Sequence, residues 1–310
     1  MTAAVATAPL AGLETAAPGR RRIALAWLAI ALAVVVVWEA AKWLLGDPWR
    51  IHASLLGLPI DIEHVPPFQS RIATDSSLPH IWDILAAFIL PAQRNGPPLG
   101  AILAGQALFT FREALIGFVV GGVLGLLLGI GFVHSRLAER AFVPYVVASQ
   151  TVPILAISPL IVVATKAGWL SVTIVSAYLT FFPVTIAALR GLRAADPRAF
   201  ELMRSYAADK RQVLWKVRLP TSVPYLFASL RVAAAASVIG AIIGELPSGI
   251  PDGLGSALLN YNQYYSQGPE RLWATIIMCS ILGLGFVGLI RLAEDRLTRG
   301  RYRTASPSGS

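Results

Sequence analysis

The chain has 310 residues, of which 14% are charged, against roughly 25% in an ordinary soluble domain, and its mean hydropathy is +0.64. That balance excludes a water-soluble globule and points to helices that cross a bilayer. The net charge of +9 is carried by short polar segments between apolar runs, the pattern by which a membrane protein sets its orientation, so nucleic acid is not an expected partner.

Residues 1–22 read as a disordered cytoplasmic N-terminus, Ala-rich at first and ending on Arg20, Arg21 and Arg22. The apolar stretch that follows fits a cleaved signal peptide. Its continuation through Trp38, Trp43 and Leu45 instead marks a retained transmembrane helix over 23–45. Residues 46–106 form a Pro-rich periplasmic or extracellular segment, too dense in Pro48, Pro59, Pro66, Pro67, Pro79, Pro91, Pro97 and Pro98 for a spanning helix. Within it, residues 78–90 read either as a short interfacial helix carrying Trp82 and Phe88 or as a plain loop.

A core domain is expected over 107–292, with spans at 107–133, 141–164, 168–189, 223–247 and 272–292, followed by a cytoplasmic tail at 293–310. The fold class is therefore all-α, a polytopic membrane bundle of about six transmembrane helices, with both termini on one side. Placing the termini inside gathers Arg136, Arg140 and the basic residues of 190–218 in the cytoplasm. The opposite side then holds few cations, among them Arg94, Lys166 and Arg271.

Gly117, Gly121, Gly125 and Gly129 recur every fourth residue, a stripe that lets a neighbouring helix approach closely within the bundle. The span at 141–164 is interrupted by Pro144, Pro153 and Pro159, with Ser149 and Gln150 between, and broken helices at membrane depth often face a water-filled path. Ser149, Gln150, Tyr178, Phe181 and the acid Glu245 are thus candidates for a translocation pathway. Packing is the competing account of the aromatic pair, and a hydrogen bond to the turn at 247–249 that of Glu245. Arg112 and Arg231 read as structural, snorkelling cations, and Glu39 with Lys42 as an ion pair on one helical face.

The longest basic connector, 190–222, reads as two short amphipathic helices. Pro197 opens the first with Asp196 as its cap, and Phe200, Leu202, Met203 and Tyr206 supply apolar contacts. Val213, Leu214 and Val217 continue the pattern until Leu219-Pro220 stops it. A connector that folds this way can act as a stiff knob for a soluble partner.

At this connector the chain resembles the permeases of type I ATP-binding-cassette importers, whose cytoplasmic pattern is E-A-A-x3-G-x9-I-x-L-P. Glu201-Leu202-Met203-x3-Ala207-x9-Val217-x-Leu219-Pro220 matches it without a gap, with Leu202 and Met203 in place of the alanines and Ala207 in place of the glycine. The text RSYAADKRQVLWKVRLPTSVPYLFASLRVAAAASVIGAIIGE at 204–245, FREALIGF at 111–118 and VPILAISPLIVV at 152–163 resemble the nitrate, sulfonate, taurine and bicarbonate branch, which includes importers of pyrimidine precursors. The resemblance leaves 46–77 uncovered.

It implies a coupling loop at Glu201, Ala207, Asp209, Arg211, Val217, Leu219 and Pro220 that sits in a cleft of a cytoplasmic ATP-binding subunit, itself a dimer. It further implies a second permease, a copy of this chain in a homodimer or else a similar chain, and a periplasmic or lipid-anchored solute-binding protein, all at the cell inner membrane. Alanine at 207 leaves two ways to turn the chain, ordinary backbone angles there or a bend shared with Ala208-Asp209.

The function so implied is non-enzymatic. No G-x-x-x-x-G-K-[ST] loop is present, so a partner must hydrolyse the ATP. Neither cofactor nor metal is expected, since Cys279 is alone and the histidines fall at no ligand spacing. An ion-coupled secondary transporter is the alternative, but it calls for mid-span acids or an internal repeat. The substrate, a small anion or a pyrimidine precursor, is not fixed by the pathway residues.

Overall fold

The computed structural model describes residues 20–55, 58–68, 70, 73–93 and 95–298, in two compact units, Met1–Ile81 and Trp82–Ser310. The expected disorder at 1–19 and the end of the tail at 299–310 lie outside the described residues.

In the first unit, α1 (Arg20–Leu45) is followed by a two-stranded antiparallel hairpin, β1 (Trp49–Leu55) and β2 (Leu58–His64), with Trp49 opposite His64 and Leu55 opposite Leu58. The sequence there alternates apolar and polar residues, a period-2 signal that the proline count had masked. The Glu39–Lys42 ion pair expected from spacing does not form. Lys42 is fully buried, donates to Ala73 O at 3.1 Å and pairs with Asp75, while Glu39 accepts from His80 Nδ1 at 2.9 Å and from Ile81 N at 2.8 Å. Both side chains thus bond to the 73–81 segment and hold it along α1, rather than to each other.

Next comes α2 (Ile81–Ile89), all but its first residue in the second unit, so the segment around Trp82 is a helix rather than a loop, with Ile84 and Ala87 buried. The core follows as α3 (Leu99–His134), α4 (Arg136–Ser149), α5 (Ile154–Thr165), α6 (Trp169–Gly191), α7 (Pro197–Ser205), α8 (Lys210–Val213), a π turn (Leu214–Arg218), α9 (Leu219–Glu245), α10 (Leu254–Gln263) and α11 (Pro269–Thr298). Among the described residues five helices are long and apolar enough to span a membrane, or six when α4 and α5, bent by 100°, count as one broken span. Of the three prolines expected to interrupt that span, only Pro153 lies at the break; Pro144 and Pro159 are inside helices. α3 begins at Leu99, earlier than the apolar run suggested, because Pro98 supplies a ready helix start ahead of the polar Gln106.

The expected stop at Leu219-Pro220 is also corrected. One helix runs from Lys210 to Glu245. The π turn absorbs the proline: Leu219 N bonds back five residues to Leu214 O, and the widened turn makes room for the Pro220 ring.

α6 is the central element. A Cβ on Gly117 would lie 2.3 Å from Ser176 Oγ, one on Gly121 2.4 Å from Ala177 O, and one on Gly125 2.6 Å from Phe181 O, so α3 runs parallel to α6 with its backbone against it. On the other side α9 runs antiparallel, since a Cβ on Gly240 would meet Ser176 Cα at 2.8 Å and one on Gly244 would meet Val172 Cα at 2.9 Å. Ser176 Oγ, between the two, donates to Ser237 O at 3.0 Å. Phe286 of α11 closes the core edge-on to Phe111 and Phe118, with ring centroids 5.2 and 5.1 Å apart.

Gly121→Val or Gly125→Val should therefore push α3 off α6 and destabilise the bundle by about 3 kcal/mol or more. Gly122→Ala, at a position with open space, should be neutral or stabilising by up to about 1 kcal/mol. Thermal unfolding of the purified protein in detergent, followed by size-exclusion fluorescence, distinguishes them; equal Tm values for Gly121→Val and Gly122→Ala would refute this packing.

Candidate functional site

The basic connector folds as two capped helices with a defined joint. Asp196 Oδ1 accepts from Arg198 N at 2.8 Å and Pro197 occupies the first turn, which fixes the start of α7. At its end Ala207 N bonds to Arg204 O at 2.9 Å and Ala208 N to Met203 O at 2.9 Å. This is the Schellman arrangement, and Ala207 holds its left-handed position at φ 48°. Ordinary backbone angles at Ala207 are thereby ruled out: the joint is left-handed there, at a cost that glycine would avoid. Asp209 Oδ1 then accepts from Gln212 N at 2.6 Å and starts α8.

Glu201, Ala207, Asp209, Arg211 and Pro220 are exposed, while Val217 and Leu219 are half-buried where the helix enters the bundle. Neither α7 nor α8 has a buried residue. Leu202, Tyr206 and Trp215 are each more than half exposed, a large apolar surface on a connector that is otherwise basic. Arg218 secures the base: its guanidinium donates to Leu192 O at 3.0 Å and lies 4.9 Å over the Phe200 ring, tying α7 to the ends of α6 and α9.

The pathway candidates fall into two places. Ser149, Gln150 and Tyr178 line one cavity of 330 Å³ at the α4–α5 break, together with Phe182 and Val232. Tyr178 OH donates to Ser149 O there. Phe181 stands behind Tyr178, ring centroids 5.8 Å apart, and it is Phe182 that faces the cavity.

Glu245 lies elsewhere, at the opposite end of the long helix from the connector, and is 1% exposed. The turn at 247–249 bonds to its main chain, Ser248 Oγ donating to Glu245 O at 2.7 Å. Its carboxylate points to the start of α10, where three successive backbone N–H groups are each captured by a side chain. Gly253 N donates to Gln106 Oε1, Leu254 N to Thr110 Oγ1 at 2.8 Å, and Gly255 N to Glu245 Oε2 at 2.6 Å. Thr110 in turn donates to Glu245 Oε1 at 2.7 Å. Side chains of α3 and α9 thus satisfy the otherwise orphaned donors of the α10 N-terminus, and the carboxylate complements its dipole. Gly253, at φ 103°, leaves room for the Glu245 carboxyl, which a Cβ would meet at 2.4 Å.

A cavity of 740 Å³ opens beside this junction, lined by Gln106, Asn260, Tyr261, Tyr264, Gln267 and Arg271 among others. Sequence reasoning passed over Thr110 and Glu113. The Glu113 carboxyl is 2% exposed and lies close to that of Glu245. A lone acid in the apolar FREALIGF run was its available signal.

Residues 121–299, more than half of the chain, match the family described as "Binding-protein-dependent transport system inner membrane component". The chain is 35% identical over 223 residues to the formylaminopyrimidine transport permease protein ThiX of Halalkalibacterium halodurans, covering 68% of this chain and 88% of the relative. It is 34% identical over 256 residues to the riboflavin transport system permease protein RibX of Chloroflexus aurantiacus, covering 81% and 92%. Among solved structures, an inward-facing form of the MetNI methionine ABC transporter aligns with a TM-score of 0.51 at 20% identity over 65% of this chain and 95% of that one, a likeness of fold.

Two substitutions test the geometry. Ala207→Gly should stabilise the joint by about 1 kcal/mol by removing the left-handed penalty, whereas Ala207→Val should loosen it; hydrogen exchange at the Ala208 amide reads the difference, and slower exchange in the valine variant would contradict the Schellman joint. Thr110→Val, which strips a donor from Glu245 and an acceptor from Leu254, should cost about 1–3 kcal/mol, while Thr110→Ser retains Tm.

Proposed function

This chain belongs to the family of binding-protein-dependent transport system inner membrane components and is a permease subunit of a type I ATP-binding-cassette importer of small solutes, and from that premise we propose how it is driven and what it carries. Its termini face the cytoplasm, a second copy completes the path, and the connector at Glu201, Ala207, Asp209, Arg211, Val217, Leu219 and Pro220 docks in a cleft of an ATP-binding subunit that hydrolyses the nucleotide. The observation that carries this reading is the exposed apolar set Leu202, Tyr206 and Trp215 on two helices held by caps and a Schellman joint. Such a knob is stiff enough to transmit a push and apolar enough to need a partner.

The push has a continuous conductor. The 36 residues from Lys210 to Glu245 form one helix, about 54 Å long at 1.5 Å per residue, that begins in the connector and ends on the carboxylate capping α10. Closure of the ATP-binding pair tilts this rod, shifts Glu245 against the start of α10, and opens the outer cavity as the α4–α5 cavity around Ser149, Gln150 and Tyr178, with Phe181 behind it, closes. A solute-binding protein delivers its load to the surface of α10.

The cargo proposed is a small neutral nitrogen heterocycle. Amides at Asn260 and Gln267 offer both donors and acceptors, Tyr261 and Tyr264 offer ring faces, and Arg271 adds further donors. The two relatives described above are named for formylaminopyrimidine and riboflavin.

In proteoliposomes holding the permease, its ATP-binding subunit and the loaded solute-binding protein, uptake should require ATP. Undiminished uptake without ATP, or without that subunit, would instead favour an ion-coupled carrier. Glu201→Ala should weaken subunit association about tenfold, equivalent to about 1.4 kcal/mol, with membrane insertion unchanged.

A further inference from the structure

At the basic end of the bundle a cavity of 870 Å³ opens between α3, α4, the α6–α7 turn and the π turn, and none of the transport steps above uses it. Arg136, Arg140, Arg193 and Arg218 line it against a single acid, Glu139, so four positive charges less one negative leave an excess of three. Arg193 is committed to Glu139 through two bonds at 2.6 and 2.5 Å, and Arg218 to Leu192 O and the Phe200 ring. Arg136 and Arg140, one turn apart on α4, are exposed and make no hydrogen bond or ion pair among the described residues. A partly enclosed site with uncompensated guanidinium groups selects an anion with several acceptor oxygens.

The wall tells which anion. α4 has no buried residue, and Leu137, Phe142 and Tyr145 on it are 81, 59 and 74% exposed. Val133, Val143 and Pro144 line the same cavity. Arginines at the mouth with bare aliphatic and aromatic surface beside them fit an amphiphile better than a free ion.

We propose that this cavity holds the phosphodiester headgroup of an acidic phospholipid of the inner leaflet, with Arg136 and Arg140 on the phosphate and the acyl chains along the apolar surface of α4. It takes from the proposed function only that this end faces the cytosol. Basic pockets between transmembrane helices on that side are where anionic headgroups concentrate. Because Phe200 of α7 and Arg218 of the long helix share the cavity, a bound headgroup braces the base of the connector and makes it stiffer.

The test uses the intact permease in nanodiscs of phosphatidylcholine with or without phosphatidylglycerol, with retained lipid counted by native mass spectrometry, and needs no transport. Wild type should retain phosphatidylglycerol in preference to phosphatidylcholine. Arg136→Gln with Arg140→Gln should lower that retention about tenfold, and Arg136→Lys with Arg140→Lys should keep most of it; the lysine pair also reports whether the fold survives change at these positions. Equal retention of the two lipids, or unchanged retention in the glutamine pair, overturns the proposal. Displacement of the lipid by millimolar inorganic phosphate or glycerol phosphate assigns the site to a free anion. Loss of ATP-binding subunit association by the glutamine pair in lipid-free detergent assigns it to that subunit, and either result also overturns the proposal.

Discussion

The contact of α3 and α9 with the two sides of α6 is the constraint on which the rest of the molecule depends. In lipid, apolar side chains gain nothing by leaving one hydrocarbon environment for another, so helices associate through close packing and through polar groups they share. Gly117, Gly121 and Gly125 on one side, and Gly240 and Gly244 on the other, bring backbone to within a Cβ of backbone. The same closeness lets Ser176 Oγ reach the Ser237 carbonyl. It also fixes the relative height of α3 and α9, and the α10 junction requires that height: Gln106 and Thr110 from one helix and Glu245 from the other must meet three consecutive amides. A slip of one residue along either helix would leave those donors unsatisfied, at a cost of several kcal/mol in a membrane.

A second consequence concerns rigidity. Pro220 stands well inside the helix that begins at Lys210, and the π turn at Leu214–Arg218 widens the ladder just before its ring, so the helix continues past it. The left-handed Ala207 does the converse, placing a sharp, hydrogen-bonded corner where the chain must reverse. The stretch from Lys210 to Glu245 is thus helical throughout, with Pro220 and Pro224 both inside it.

What was legible in the sequence follows from which forces act locally. Apolar run length is a local property, so the spans and the basic connector could be read, and the four-residue glycine stripe correctly predicted packing within the bundle. Helix ends were less legible, because hydropathy falls at Gln106 while the backbone remains helical back to Leu99. The partners of Glu39 and Lys42 were misread because spacing along one helix says nothing about a segment that returns from about forty residues on, with backbone groups of its own to satisfy. The capping role of Glu245 was hidden for the same reason: its partners sit on α3 and α10, and only the fold brings them to its carboxylate. The cavities at Ser149 and at Arg136 likewise belong to no single stretch of chain.

The two ends of the bundle solve the problem of polar groups near lipid in different ways, and the difference fits their tasks. At the α10 end three successive backbone amides are met by Gln106, Thr110 and Glu245, with the buried acid Glu113 beside them. Three bonds to consecutive amides give that junction a defined position. At the other end the guanidinium groups that line the cavity exceed the acids that face them. The long helix from Lys210 to Glu245 joins the two ends, so a displacement of its connector end bears directly on the α10 junction.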